Sequence, residues 1–200
     1  VEVRGAATNP DGSADGAMTG DGDDVITIYD MSFSAIDAGR GNDTIKLSST
    51  FQGDLNTSLL PPTGMTNVEV FDLASHAAGN KLTLTPEKLA TMTDDDNLLV
   101  VKGTSLDSLM LYGQWALSTD VNYNGVNYGQ VISVTNTGEV VKLYYSKDIT
   151  NVVIDNPPTP QMTTFSVAYN DGAYLVSKGI DMYAGWKVDN AGDVNKDGVD

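Results

Sequence analysis

The chain contains no cysteine and only one histidine, His76. Without cysteine there is no disulfide, thiol nucleophile or thiolate metal ligand, so stability outside a cell would have to come from core size or from a bound ion. A lone histidine excludes a two-histidine zinc site. No nucleophile stands in a recognisable relation to it for a Ser/His/Asp triad, and its polar surroundings favour a solvated turn. Basic residues are also scarce: 11 Lys and Arg stand against 27 Asp and Glu, a formal charge of −16. Such a surface repels nucleic acid and anionic membranes, and its carboxylates repel one another unless cations intervene. No apolar run approaches a membrane span, and the first residues lack a charged start followed by a hydrophobic stretch. Neither nucleic-acid binding nor membrane insertion is expected. The sequence opens mid-pattern and stops mid-motif, as a fragment of a longer protein with its targeting signals elsewhere would.

With 200 residues, 40% of them hydrophobic, the chain has enough apolar material for a real core. Its organising stretch runs from Gly20 to Leu47. Thr-Gly-Asp-Gly-Asp-Asp-Val-Ile-Thr (19–27) and Ala-Gly-Arg-Gly-Asn-Asp-Thr-Ile-Lys (38–46) are two copies of one pattern close to G-G-x-G-x-D-x-U-x, with U a large aliphatic. Gly20, Gly22, Gly39 and Gly41 permit sharp turns that aim carbonyl oxygens at a cation, and Asp24 and Asp43 each add a carboxylate. A set of hard oxygen ligands suits Ca2+ better than a transition metal. Asp24 and Asp43 are nineteen residues apart, one more than a coil of two nonapeptides, so the turns should stack with a calcium between them. The alternative is a pair of unrelated hairpin turns; phase, aliphatic position and spacing together favour stacking.

Further along, apolar residues two apart predict strands at Val25–Ile28, Thr44–Leu47, Asn67–Leu73, Lys81–Leu84, Leu98–Val101 and Ser108–Tyr112. Thr85-Pro86-Glu87 reads as a helix start, predicting a short helix from Pro86 to Met92. Asn124-Gly125 between Val121–Tyr123 and Val126 onward is a hairpin signal. Strands at Gln130–Thr135, Glu139–Tyr145 and Asn151–Asp155 follow, and their alternation suggests an antiparallel sheet with one wet face. The expected fold is all-β: short calcium-bound β-roll or solenoid coils continuing into a β-sandwich-like or antiparallel module, with one short helix. Residues 156–162, rich in proline, read as a stiff linker, dividing a domain at 1–155 from a segment at 163–200. In that segment Asp193, Asn195 and Asp197 alternate before Gly198, as in the opening of an EF-hand-like calcium loop.

Other candidates have bland readings. Glu69 and Asp72 could pair as glycosidase carboxylates, but residues three apart on a strand face opposite sides. Asp94, Asp95 and Asp96 bind calcium or form a solvated helix terminus. Trp115 and the tyrosines at 112, 123, 128, 144 and 145 could form a sugar platform, although aromatic residues in strands more often pack in a core or across strands.

Residues 20–47 resemble the calcium-binding repeats of RTX proteins, with Thr19 and Ala38 in place of the first glycine. The run through Asn67-Val-Glu-Val-Phe-Asp-Leu, Asn80-Lys-Leu-Thr-Leu, Asn97-Leu-Leu-Val-Val-Lys-Gly and Gly113-Gln-Trp to Val-Val-Ile-Asp155 is similar to a module of very large repetitive bacterial surface adhesins. The terminal Gly185-Trp to Asp200 resembles the start of an FG-GAP repeat, and a dockerin loop begins similarly. The resemblance implies a monomeric, non-enzymatic module at the cell surface, exported by type I secretion, folding in external calcium and serving adhesion and biofilm formation. Its partners would be neighbouring domains of the same adhesin. A module that itself holds a cell-surface glycan or peptide, or an RTX module attached to a secreted enzyme, are the alternatives.

Overall fold

Ile26 and Ile28, Ile45 and Leu47, and Phe71 and Leu73 are apolar pairs two residues apart, and each is fully buried, as a strand with one dry face requires. The computed structural model describes residues 1–3, 16–51, 54–74 and 79–156. In it the segments carrying these pairs lie side by side and parallel. A short β1 (Glu2–Val3) leads the chain. The first coil comprises β2 (Ala17–Met18) and β3 (Val25–Ile28), and the second β4 (Ile36–Asp37), β5 (Thr44–Leu47) and β6 (Asp54–Asn56). The third comprises β7 (Met65–Thr66), β8 (Val70–Asp72) and β9 (Lys81–Leu84). In the fourth, helix α1 (Pro86–Met92) precedes β10 (Leu98–Lys102) and β11 (Ser108–Tyr112). A hairpin of β12 (Trp115–Tyr123) and β13 (Val126–Val134) then interrupts the winding, before β14 (Val140–Ser146) and β15 (Asn151–Asp155) form a fifth coil.

Corresponding strands stack into three sheets, ordered β1-β3-β5-β8-β10-β14-β13-β12, β6-β9-β11-β15 and β2-β4-β7. The pairings are parallel except β12 with β13 and β13 with β14. The all-β expectation holds, as a three-sided parallel solenoid around one core. Columns of like residues fill it: Ile26, Ile45, Phe71 and Val101 from the first sheet, and Leu55, Leu82 and Leu109 from the second.

The antiparallel or sandwich-like module expected beyond the first coils is not what forms. β10, β11 and β15 pair parallel with the coils before them, and antiparallel pairing is confined to β12–β13–β14. Alternation does not distinguish the two cases, because a solenoid strand also has one dry and one wet face. The long crossover that parallel neighbours need is supplied here by the other two sides of the coil. Coil length grows along the axis: Val25 aligns with Thr44, Thr44 with Val70, Val70 with Val100 and Val100 with Tyr144. The excursion at 48–64, α1 and the hairpin absorb the added residues.

α1 forms as its start signals predict. The Thr85 hydroxyl accepts from the Lys88 amide at 3.2 Å, and Pro86 opens the first turn. Leu89 and Met92 face the core, and the Met92 carbonyl accepts from the Val68 amide at 2.9 Å. The Lys88 ammonium, its pKa lowered by burial, donates to the Pro61 carbonyl at 2.7 Å.

On the opposite face of the first sheet, Val70, Leu98, Val100 and Tyr128 form a second apolar cluster with Val121, Tyr123 and Tyr144. A bulge between Ser118 and Val121 bends the hairpin, as bulges do. The Tyr123 and Tyr144 rings meet edge to face at 5.6 Å. Trp115 is buried and donates its indole N–H to the Tyr112 carbonyl at 3.1 Å. Trp115, Tyr123, Tyr128 and Tyr144 pack rather than form an open platform, whereas Tyr112 is exposed. Asn156 closes the last coil, its side chain accepting from the Trp115 amide and donating to the Trp115 carbonyl, both at 3.0 Å.

One left-handed residue recurs at the same corner of successive coils: Gly22 (φ 118°), Gly41 (φ 150°), Asn67 (φ 57°) and Asn97 (φ 51°). Each stands three residues before the aligned set Val25, Thr44, Val70 and Val100. This turn delays β8 to Val70, later than the expected Asn67. The described residues belong to one unit, Val1–Thr159. His76, the linker beyond Asn156, and the segment carrying Asp193, Asn195 and Asp197 lie outside the described residues.

Because left-handed backbone costs a β-branched residue about 1–2 kcal/mol, Asn97→Val should lower unfolding free energy by about that amount. Asn97→Gly should change it by only a few tenths. Urea unfolding of both variants at fixed calcium measures the contrast.

Candidate metal centre

The two glycine turns stack directly. The Gly22 amide donates to the Arg40 carbonyl at 2.6 Å, the Arg40 amide to the Gly20 carbonyl at 3.2 Å, and the Thr44 amide to the Asp24 carbonyl at 2.8 Å. The Thr19 hydroxyl donates to the Ala38 carbonyl. Gly39 and Gly41 lie against the carbonyls of Gly20 and Gly22, and a Cβ on Gly41 would fall 2.5 Å from the Gly22 oxygen. Gly22, Gly39 and Gly41 also have positive φ. At these three positions glycine is demanded by conformation, contact or both. Gly20 differs: it has no positive φ and a Cβ there would meet nothing within 4 Å. Carbonyls engaged between the turns keep a second lone pair that a cation can use.

Behind the turns a column of side chains faces inward. Extending the strand register one residue toward the turn aligns Asp24, Asp43, Glu69 and Leu99, and Leu99 pairs with Leu143. The acidic members link coil to coil. The Asp24 amide donates to Asp43 Oδ1 at 2.7 Å, and the Asp43 amide donates to Glu69 Oε2 at 2.8 Å. Asp43 is fully buried and Glu69 half-buried. Asp43 Oδ2 and Glu69 Oε1 are buried with no hydrogen-bond partner.

Burial is the main cause that raises the pKa of Asp43; the bond from the Asp24 amide opposes it, and the charges of Asp24, Asp23 and Asp94 add to it. Burial likewise pushes Glu69 up to about 7, opposed by the bond from Asp43 and reinforced by Asp94, Asp43 and Asp96. Asp107, at another corner, is a contrast. It is equally buried, but Oδ1 accepts from the Asn80 amide at 2.7 Å and Oδ2 from the Thr104 amide and hydroxyl at 2.7 and 2.9 Å. Its charge is met by hydrogen bonds alone.

Beside the turns, against Gly20, Gly39 and Asn67, lies an acidic cleft of about 880 Å³, lined by Asp21, Asp37, Asp94, Asp95, Asp96 and Glu139, with Arg40 on its wall. Asp94 to Asp96 are exposed, and partial desolvation together with the charges of Asp96 and Asp95 raises the pKa of Asp94. Asp37 accepts from the Gly39 amide at 3.1 Å and the Asn67 side chain at 2.7 Å, tying the second coil to the third. Among the described residues no three Asp, Glu or His side chains converge as a metal-ligand group. A cation here would therefore draw on paired carboxylates, carbonyls and water.

Of the predicted site residues, Gly20, Gly22, Asp24, Gly39, Gly41 and Asp43 come together at one corner. Glu69, considered earlier only as a partner for Asp72, belongs to the same column. Asp72 lies on the other face of β8 and accepts from the Ala74 amide at 3.1 Å. The missed signal is a degraded repeat: Asn67-x-Glu69-x-Phe71 restates Gly41-x-Asp43-x-Ile45, with Asn for the left-handed Gly and Glu for Asp. Comparison with family models, curated proteins and solved structures returns no match.

A carboxyl whose folded pKa lies above its unfolded value stabilises the fold at low pH, and loses that contribution as pH rises through the folded pKa. In chelator, the melting temperature should therefore fall between about pH 4.5 and about pH 7, the window set by Glu69. Glu69→Gln should flatten that fall, as read by thermal melts across the range.

Proposed function

We propose that this chain is an extracellular, calcium-stabilised structural module of a large bacterial surface adhesin, positioning neighbouring domains for cell adhesion and biofilm formation. The observation that carries the reading is the in-register stack of two glycine turns over the inward Asp24 and Asp43, with the buried Oδ2 of Asp43 left without a partner. Those groups fit a hard cation in chemistry and placement: Asp24, Asp43 and carbonyls of the two turns would hold calcium, which would supply charge neutralisation and a cross-link between coils. The formal charge of −16 agrees, because a bound divalent ion relieves the repulsion that folding concentrates.

A parallel solenoid also suits a spacer. Each coil adds about 4.8 Å along the axis, and each strand is held by backbone bonds to the coils before and after it. If calcium binds the folded chain and not the unfolded one, millimolar external calcium favours folding, whereas scarce cytosolic calcium leaves the chain export-competent. The aromatic side chains of the hairpin are committed to packing, which favours the scaffold over a glycan-gripping module.

At calcium about 100 times its Kd the folded state should gain about 2.7 kcal/mol, read as a rise in melting temperature over chelator. Asp24→Ala and Asp43→Ala should each reduce that rise. An unaltered calcium response in both variants overturns the site, and a chelator-sensitive hit on a glycan or peptide array would favour the ligand-binding alternative.

A further inference from the structure

We infer that a second hard divalent cation, of the calcium class, sits one coil further along, inside the corner between the second and third coils, with Asp43 and Glu69 as its protein carboxylates. It rests on the calcium reading above and extends it beyond the two glycine repeats, to a coil whose turn carries Asn67 instead of glycine.

The argument comes from which oxygens are satisfied. Asp43 Oδ1 and Glu69 Oε2 each accept one amide from the coil before, whereas Asp43 Oδ2 and Glu69 Oε1 are enclosed without a partner. Both orphaned oxygens belong to neighbouring coils of one inward column, and Asp43 is fully buried. Two such carboxylates cannot both ionise cheaply side by side. Each fourth- and fifth-coil position in the column is leucine, Leu99 and Leu143, so the solenoid can close this corner with apolar side chains. Keeping acids in the second and third coils therefore calls for a counter-charge. Among the described residues, nearby cationic side chains do not supply it: Arg40 lines the cleft beside the corner, and the buried ammonium of Lys88 is committed to the Pro61 carbonyl.

A cation between the coils would take one oxygen from each carboxylate and complete its shell with carbonyls and water. Ligands contributed by separate coils tolerate the longer, irregular distances of calcium better than the strict octahedron of magnesium. Asp94, exposed in the cleft beside the corner, adds negative field at both carboxylates without itself being a ligand.

The test is calcium calorimetry, with magnesium as competitor, on the wild-type chain, Asp24→Asn, Glu69→Gln and Glu69→Leu. The leucine variant copies the next coil and keeps the corner filled. Wild type should bind one more calcium per chain than either Glu69 variant. Asp24→Asn should weaken binding while leaving the Glu69-dependent ion in place. Both Glu69 variants should gain less melting temperature from calcium than wild type does; a purely structural Glu69 would shift the melting temperatures with and without calcium together. Wild-type stoichiometry and affinity in both Glu69 variants would overturn the second ion and leave the first standing. Failure of the wild-type chain to bind calcium at all would overturn both.

Discussion

Parallel stacking in register, coil upon coil, is the constraint on which the rest of this structure depends. Once Val25 is fixed beside Thr44, and Thr44 beside Val70, every inward residue of one coil lies against its counterpart in the next. Like then stacks on like. For Ile26, Ile45 and Phe71 this builds a continuous core, where truncating a large side chain to alanine costs about 2–5 kcal/mol. For Asp24, Asp43 and Glu69 the same register brings negative charges together where water is scarce.

That concentration is costly, since the effective penalty for burying an ion reaches several kcal/mol. The fold answers it in two ways. At Asp107 three donors meet the carboxylate, and no ion is needed. At Asp43 and Glu69 one amide meets each group and one oxygen is left over. Under the calcium reading proposed above, a corner of the second kind would be relieved by a bound cation.

The additions to the basic coil serve closure. α1 replaces a strand at the third side and lays Leu89 and Met92 on the core. The hairpin ends the parallel stacking of the first sheet by turning it antiparallel. Its curled tip then covers Val70 and Val100 on the outer face, surface that a bare solenoid would leave wet. β12, the strand at the sheet edge, carries Ser118, Thr119, Asp120 and Asn122 among its nine residues, which breaks up an edge where an uninterrupted apolar strand would invite association.

Most strand positions, the helix from Pro86 to Met92 and the Asn124-Gly125 turn were legible in the sequence, because alternation, capping and turn chemistry are local properties of the chain. The glycine turns were legible too, since Gly22, Gly39 and Gly41 occupy conformations or contacts that other residues resist. Only the tertiary structure decided which strands became neighbours, because a wet-and-dry strand reads the same in a solenoid and in an antiparallel sheet. It alone also decided that Glu69 joins Asp43. Coil lengths of nineteen and then twenty-six residues break the sequence period, while backbone hydrogen bonding restores it in space.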